Sequence, residues 1–216
     1  TAYPPLGSER LRALIAEHVR LTRSIRVDPR DVVVTSGARD GLRLVLAAHG
    51  RPGRLAVEDP GYHSLRQVPR ALGGRLQPVG TDAAGMSARP TGAPADILLV
   101  TPNHQFPTGT QMPASRRFAL LEAASRTGAL VVAMLGSFSK TLPPALALGY
   151  LIVPPSLRER VADLCLPVSG LVQDAVARYM EAGGLRRHTA RMRREYRSRR
   201  EAFVRLFPEG VPMEGG

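Results

Sequence analysis

Lysine is nearly missing from this sequence, and so is cysteine; each occurs once, tryptophan does not occur, and aromatic residues make up 5% of the 216. The lone Cys165 excludes an intramolecular disulfide and suits a reducing, cytoplasmic setting, where it reads as a small buried apolar residue. No apolar run approaches the roughly 18 residues that would span a bilayer, and the opening TAYPPLGSER does not read as a signal peptide. The net charge of +12 invites a nucleic-acid or anionic partner. No compact basic stripe interleaved with aromatics occurs before residue 186, however, so no nucleic-acid surface is expected there.

The scarcity of lysine gives the one present some weight. Of 30 basic side chains, 29 are arginine, and the exception is Lys140, in GSFSKT. A desolvated amine can lose its proton and attack a carbonyl to form a Schiff base, whereas a guanidinium stays protonated at any accessible pH. Lys140 is therefore a candidate nucleophile; the alternative is a surface lysine left by an arginine-rich composition.

Along the chain, Leu11, Leu14, Ile15 and Val19 recur at helical spacing and predict an amphipathic helix over 6–22, with Ser8 as its cap. After an Asp28-Pro29-Arg30 turn, the β-branched run at 32–34 predicts a buried strand, followed by the small-residue turn at 35–38 and a helix to about His49. Strand, small turn and helix start form a geometry whose backbone amides can hold a phosphate, although glycine serves such turns for steric reasons too. A turn at 51–53 precedes a strand at 55–57, which stops at Glu58-Asp59-Pro60-Gly61 with Tyr62 at its mouth. A helix over 64–72, a strand over 75–79, an irregular stretch over 81–95, a buried strand over 97–100 and a helix over 112–127 follow. Strands alternating with helices describe an open α/β sheet whose ligands sit at the strand C-termini.

A seam comes next. Residues 130–132 and 133–135 both read as strands with nothing between them, yet parallel neighbours need a connection of a dozen or more residues. Either this is one long strand, or a segment is missing at 132/133. Beyond it, a strand is expected over 148–153 and helices over 156–164 and 169–182. Residues 185–206 predict a long helix with arginines on every face, which reads as a solvated interdomain helix rather than a DNA reader.

Five motifs in order, TSGARDGL, VEDPGY, VTPNHQFPTG, GSFSKTL and PALALGYLIVP, resemble the aminotransferase-like domain of fold-type I pyridoxal 5′-phosphate (PLP) proteins. The HQFPTG wording, the EDPGY turn and the RRHTARMRREYRSRR helix are most similar to the MocR branch of GntR-type transcription regulators, in which such a domain follows a winged helix-turn-helix. The resemblance implies an α/β large domain over 1–183 with a mainly parallel sheet, then an interdomain helix and the start of a truncated small subdomain over 184–216. It implies that Lys140 forms the Schiff base with PLP and that Ser137 contacts the phosphate. Gly37, Ala38 and Arg39 would give the phosphate a backbone cradle, and Tyr62 would stack on the pyridine ring. Asn103, His104 and Gln105 fall in the turn near the ring, and Asn103 and Gln105 are carried as cofactor-binding candidates.

The departures are as specific. The family follows the strand ending here at Val132 with an aspartate for the pyridine nitrogen and a tyrosine near the ring oxygen, and neither is present. Seven residues after the lysine the family places an arginine on the phosphate; here it is Ala147. The aspartate keeps the ring an electron sink, so turnover is expected to suffer more than binding. Three functions are consistent with these motifs: a PLP-binding effector module of a transcription regulator, an aminotransferase, or a dimerisation scaffold that binds no cofactor. A small amino compound as effector or substrate, a homodimer, DNA contact only through a separate domain, and no membrane contact are the expected partnerships.

Overall fold

The computed structural model describes residues 4–50, 53–88, 93–133 and 135–207, with the side chains of Lys140 and Pro144 outside the description. Packing divides the chain into two units, residues 1–50 with 134–197, and residues 51–133 with 198–216.

In the first unit, α1 (Glu9–Arg23) begins where the Ser8 side chain accepts from the Leu11 N–H, and it buries Leu11, Ile15, Ala16 and Val19. That face, spaced three and four residues apart, packs with Val32 and Val34 of β1 (Val32–Thr35) in one core. β1 is followed by α2 (Ala38–His49). Later in the chain, β7 (Leu135–Ser137) and β8 (Gly149–Ile152) complete an antiparallel sheet in the order β1-β8-β7. Its registers pair Thr35 with Gly149 and Ser137 with Gly149, so the ends of β1 and β7 flank one glycine. Phe138, Leu148 and Tyr150 join the core, and α6 (Gly170–Glu181) adds Val176 and Ala177. Each valine or leucine buried this way contributes about 1.5–3 kcal/mol. α5 (Arg158–Leu164) is tied to the segment before β1 by an Arg158–Asp31 ion pair.

The second unit carries a sheet in the order β4-β3-β2-β5-β6. Its strands are β2 (Arg54–Asp59), β3 (Arg75–Asp82), β4 (Gly85–Met86), β5 (Ile97–Leu99) and β6 (Leu130–Val132). β3, β2, β5 and β6 run parallel, and β4 is antiparallel to β3. α3 (His63–Ala71) connects β2 to β3, and α4 (Ala114–Thr127) connects β5 to β6. The inner parallel strands β2 and β5 carry continuous apolar runs at 55–57 and 97–99 because the sheet is covered there: Ala56, Leu98 and Val100 pack with Met112, Leu120 and Ala124.

Several sequence expectations change in detail. The sheet is parallel in the second unit only, since all three strands of the first pair antiparallel. The stretch over 81–95 is not wholly irregular: β3 extends to Asp82 and turns into β4, with the Asp82 carboxylate accepting from the Ala84 N–H at 2.7 Å. The turn expected at 51–53 has Arg51 and Pro52 outside the described residues. The seam is not one long strand. β6 ends at Val132 in one sheet and β7 begins at Leu135 in the other, with Met134 outside the described residues. The arginine-rich stretch forms α7 (Gly184–Leu206), buried at Gly184 and Leu185 and exposed from Arg193 onward except Ala202. No described helix is long and apolar enough to cross a membrane.

Candidate functional site

The first unit brings together the residues that the sequence assigned to a phosphate. Gly37 is the residue before α2, with φ 100° and ψ 177°, a conformation that only glycine adopts without strain. No side chain caps this helix start, and a Cβ at Gly37 would meet nothing within 4 Å. Opening amides at an uncapped helix start, with free space beside them, suit an anion. Ala38 and Arg39 are the first two helical residues, and the Arg39 side chain is exposed. The Asp40 carboxylate accepts from the Ser36 N–H at 3.0 Å and pairs with Arg43 at 2.9 Å, so its charge is engaged locally.

Ser137 ends β7, where its hydroxyl accepts from the Ser139 N–H at 3.2 Å. What brings it close to the start of α2 is Gly149, whose neighbours across the sheet are Thr35 and Ser137. A Cβ on Gly149 would lie 2.7 Å from both the Gly136 carbonyl oxygen and the Gly37 Cα. Lys140 ends the short 3-10 turn Phe138–Lys140, three residues past Ser137; its amine lies outside the described residues. The loop then returns through Ala147, at φ 43° and exposed, to Leu148, whose carbonyl accepts from the Phe138 N–H at 3.0 Å. Ala147 is thus held beside the Ser137–Phe138 turn. These features fit the phosphate end of PLP: open amides, a hydroxyl and no carboxylate free to repel it.

The second unit collects the remaining candidates at the C-terminal ends of β2 and β5. The Tyr62 ring stacks on Phe106, with centroids 5.1 Å apart and planes at 27°. Gln105, chosen as a ligand contact, is instead 2% exposed and occupied: its amide nitrogen donates to the Pro60 and Phe106 carbonyls at 2.6 and 2.8 Å, and its oxygen accepts from the Thr108 N–H and hydroxyl. The Asn103 oxygen accepts from Arg117 Nη2 at 3.1 Å. His104 is exposed.

One residue here was not singled out from sequence. Glu58 is a carboxylate 4% exposed at the end of β2, and both its oxygens accept from Thr101, one from the N–H at 3.0 Å and one from the hydroxyl. Burial pushes its pKa up, against the opposing effect of the Thr101 donors and of the nearby Arg66 charge. Burial also raises the Tyr62 phenol, with the Glu58 charge adding to it. The signal available in sequence was an acid directly after the apolar run at 55–57. Because the folded chain holds this proton more tightly than the unfolded one, stability is lost as pH rises through the folded pKa of Glu58. Glu58→Gln removes that loss. In thermal melts across pH, the variant is expected to melt no lower than the wild type at pH 7 and to match it below about pH 4, where both states are protonated.

The chain belongs to the aminotransferase class I and II family, whose model matches residues 1–133. It is 39% identical to the HTH-type pyridoxine biosynthesis transcriptional regulator PdxR of Corynebacterium glutamicum, over 93% of this chain and 51% of that protein. It is 30% identical to the probable rhizopine catabolism regulatory protein MocR of Rhizobium meliloti, over 93% of this chain and 47% of that protein. The chain therefore spans about half the length of the curated relatives it matches. Among solved structures, the kynurenine aminotransferase of Pyrococcus horikoshii superposes with a TM-score of 0.84 at 23% identity, covering 99% of this chain and 63% of that one, which shows a shared fold. The family implies PLP as cofactor. The alignment to the Corynebacterium regulator runs over 230 positions and takes in 93% of the 216 residues of this chain, about 201, so about 29 of its positions have no counterpart here.

Proposed function

We propose that this chain is the PLP-binding, aminotransferase-like effector domain of a MocR/GntR-type transcription regulator. The observation that carries the reading is the 39% identity to a helix-turn-helix regulator of pyridoxine biosynthesis across 93% of the chain. DNA contact belongs to a domain outside this chain, a small amino compound is the effector, and the protein acts as a homodimer in the cytoplasm. PLP, when bound, supplies an aldehyde and an electron-withdrawing ring. Lys140 holds it through its amine, and the amides of Gly37, Ala38 and Arg39 with the Ser137 hydroxyl bind the phosphate. Tyr62 offers its ring to the pyridine, and Asn103 lies in the same loop as its stacking partner Phe106. Gln105 acts by holding that loop, since its amide is fully engaged.

An aminotransferase is the second reading, supported by 25% identity to the aromatic-amino-acid aminotransferase 1 of Thermococcus litoralis over 95% of the chain. Ala147 and the seam weigh against it. The family match ends at residue 133, at the two-residue connection between strands of different sheets, and we place the residues absent from this chain there. That segment would hold the acid for the ring nitrogen, so binding without turnover is the expected behaviour. Incubation of the PLP-loaded chain with amino acids and a keto-acid acceptor separates the two readings: no amino-group transfer supports the effector domain, and multiple turnovers support the enzyme.

Ala147 supplies a gain-of-binding test. Ala147→Arg places a guanidinium beside the Ser137–Phe138 turn, where a charge-assisted bond to phosphate is worth about 1.5–3 kcal/mol. PLP affinity, read by equilibrium dialysis, is expected to rise about tenfold. An unchanged affinity would remove Ala147 from the phosphate site.

A further inference from the structure

The ends of β2 and β5 contain more polar organisation than a strand terminus requires. Two loops leave here, 59–62 from β2 and 100–109 from β5, and the Tyr62–Phe106 stack joins them. The same strand ends hold two buried polar side chains. Gln105 bonds to the Pro60 carbonyl of one loop and to Phe106 and Thr108 of the other. Glu58, on β2, bonds through both oxygens to Thr101, the second residue of the second loop. Arg66 closes the outside, donating to the Glu58 carbonyl and to Asp59 Oδ1 at 2.9 Å. A buried carboxylate is retained at a stability cost unless it is bonded and positions something, and here every donor it meets belongs to a loop carrying the aromatic pair or lies next to one.

We propose that Glu58 is the positioning residue of this aromatic platform: by bonding Thr101 through both carboxylate oxygens it ties the second loop to the end of β2 and, beside the separate Gln105 brace, sets where the Tyr62–Phe106 pair stands for a flat aromatic ligand. The ligand class rests on the proposed reading of Tyr62 as the residue facing the PLP ring; the tie between β2 and the second loop does not. Glu58 touches no ligand in this scheme. Its contribution passes through Thr101 to the loop that carries Phe106. A glutamine at 58 can reproduce the geometry, accepting from the Thr101 N–H and donating to the Thr101 hydroxyl, whereas alanine cannot.

The test uses the full chain and two readouts, near-ultraviolet circular dichroism without cofactor and PLP affinity by equilibrium dialysis. The Tyr62 contribution to the dichroism is the part that Tyr62→Phe removes. Glu58→Ala is expected to lose that contribution and to bind PLP about tenfold more weakly, while Glu58→Gln keeps the signal and binds within about threefold of the wild type. Thr101→Val, which keeps the backbone donor and loses the hydroxyl, is expected to reduce the Tyr62 signal in part. A folded Glu58→Ala chain with the Tyr62 signal intact overturns the proposal, as does a Glu58→Gln chain that behaves like Glu58→Ala. Should Glu58→Ala fail to fold, an unchanged signal in Thr101→Val overturns it and a reduced one supports it. Failure of the wild type to bind PLP would remove the PLP reading and leave the dichroism to decide the role of Glu58.

Discussion

Lys140→Ala is expected to abolish covalent capture of PLP completely. The wild type mixed with PLP should develop a visible absorption band, and borohydride reduction should then fix one pyridoxyl group on the peptide containing residue 140. The scarcity of lysine makes this result easy to read: no other side chain offers an amine, so apart from a peptide modified at the α-amino group, only the peptide containing residue 140 can carry the label. Lys140→Arg should fail as completely as Lys140→Ala although it keeps the charge, because a guanidinium does not deprotonate. If Lys140→Arg retains the band, the amine is not the attachment point. Both variants should still bind PLP weakly and reversibly, since the open start of α2 and the Ser137 hydroxyl are untouched.

The second large effect is expected at Gly149, away from any charge. Its added Cβ in Gly149→Ala would sit 2.7 Å from the Gly136 carbonyl oxygen and 2.7 Å from the Gly37 Cα. Both are backbone atoms, so relief requires the strands to separate or the start of α2 to move, not a rotamer change. Such overpacking costs about 3 kcal/mol, which for a chain of this size lowers the melting temperature by about 10 °C. Calorimetry measures that drop. Dialysis on the surviving folded fraction should also show weakened PLP binding, because the displaced atom is Gly37 itself. A Gly149→Ala chain that melts with the wild type would mean that β7, β8 and α2 do not approach as closely as described.

The relation between these two residues shows what could be read from the chain before its structure. α1, β1 and α2 were legible because each is a strong local pattern: a helical apolar stripe opened by a Ser8 cap, three consecutive β-branched residues, and a small-residue turn opening a helix. Lys140 stood out by composition as a candidate, and the place of Gly37 between strand and helix start was legible from its neighbours. Glu58 was not legible as a network member, since nothing local to VEDPGY indicates that its carboxylate turns inward to residue 101, 43 positions away. Gln105 looked like a ligand contact because it sits in a polar turn, and burial made it a brace instead. The hairpin of β3 and β4 was hidden in a stretch whose Gly and Pro content suggested no regular structure.

The sequence by itself determined the α/β class, most of the helices and strands and the presence of a single lysine side chain, because these depend on residue type and spacing along the chain, while the resemblance to the family marked Ala147 as standing where an arginine is expected. Tertiary structure alone decided that strands 130–132 and 135–137 belong to different sheets, that Ser137 and Thr35 meet across Gly149, and that Glu58 binds Thr101. The physical reason is common to all three: strand pairing and burial are set by partners distant in sequence, and a local pattern carries no information about which partner arrives.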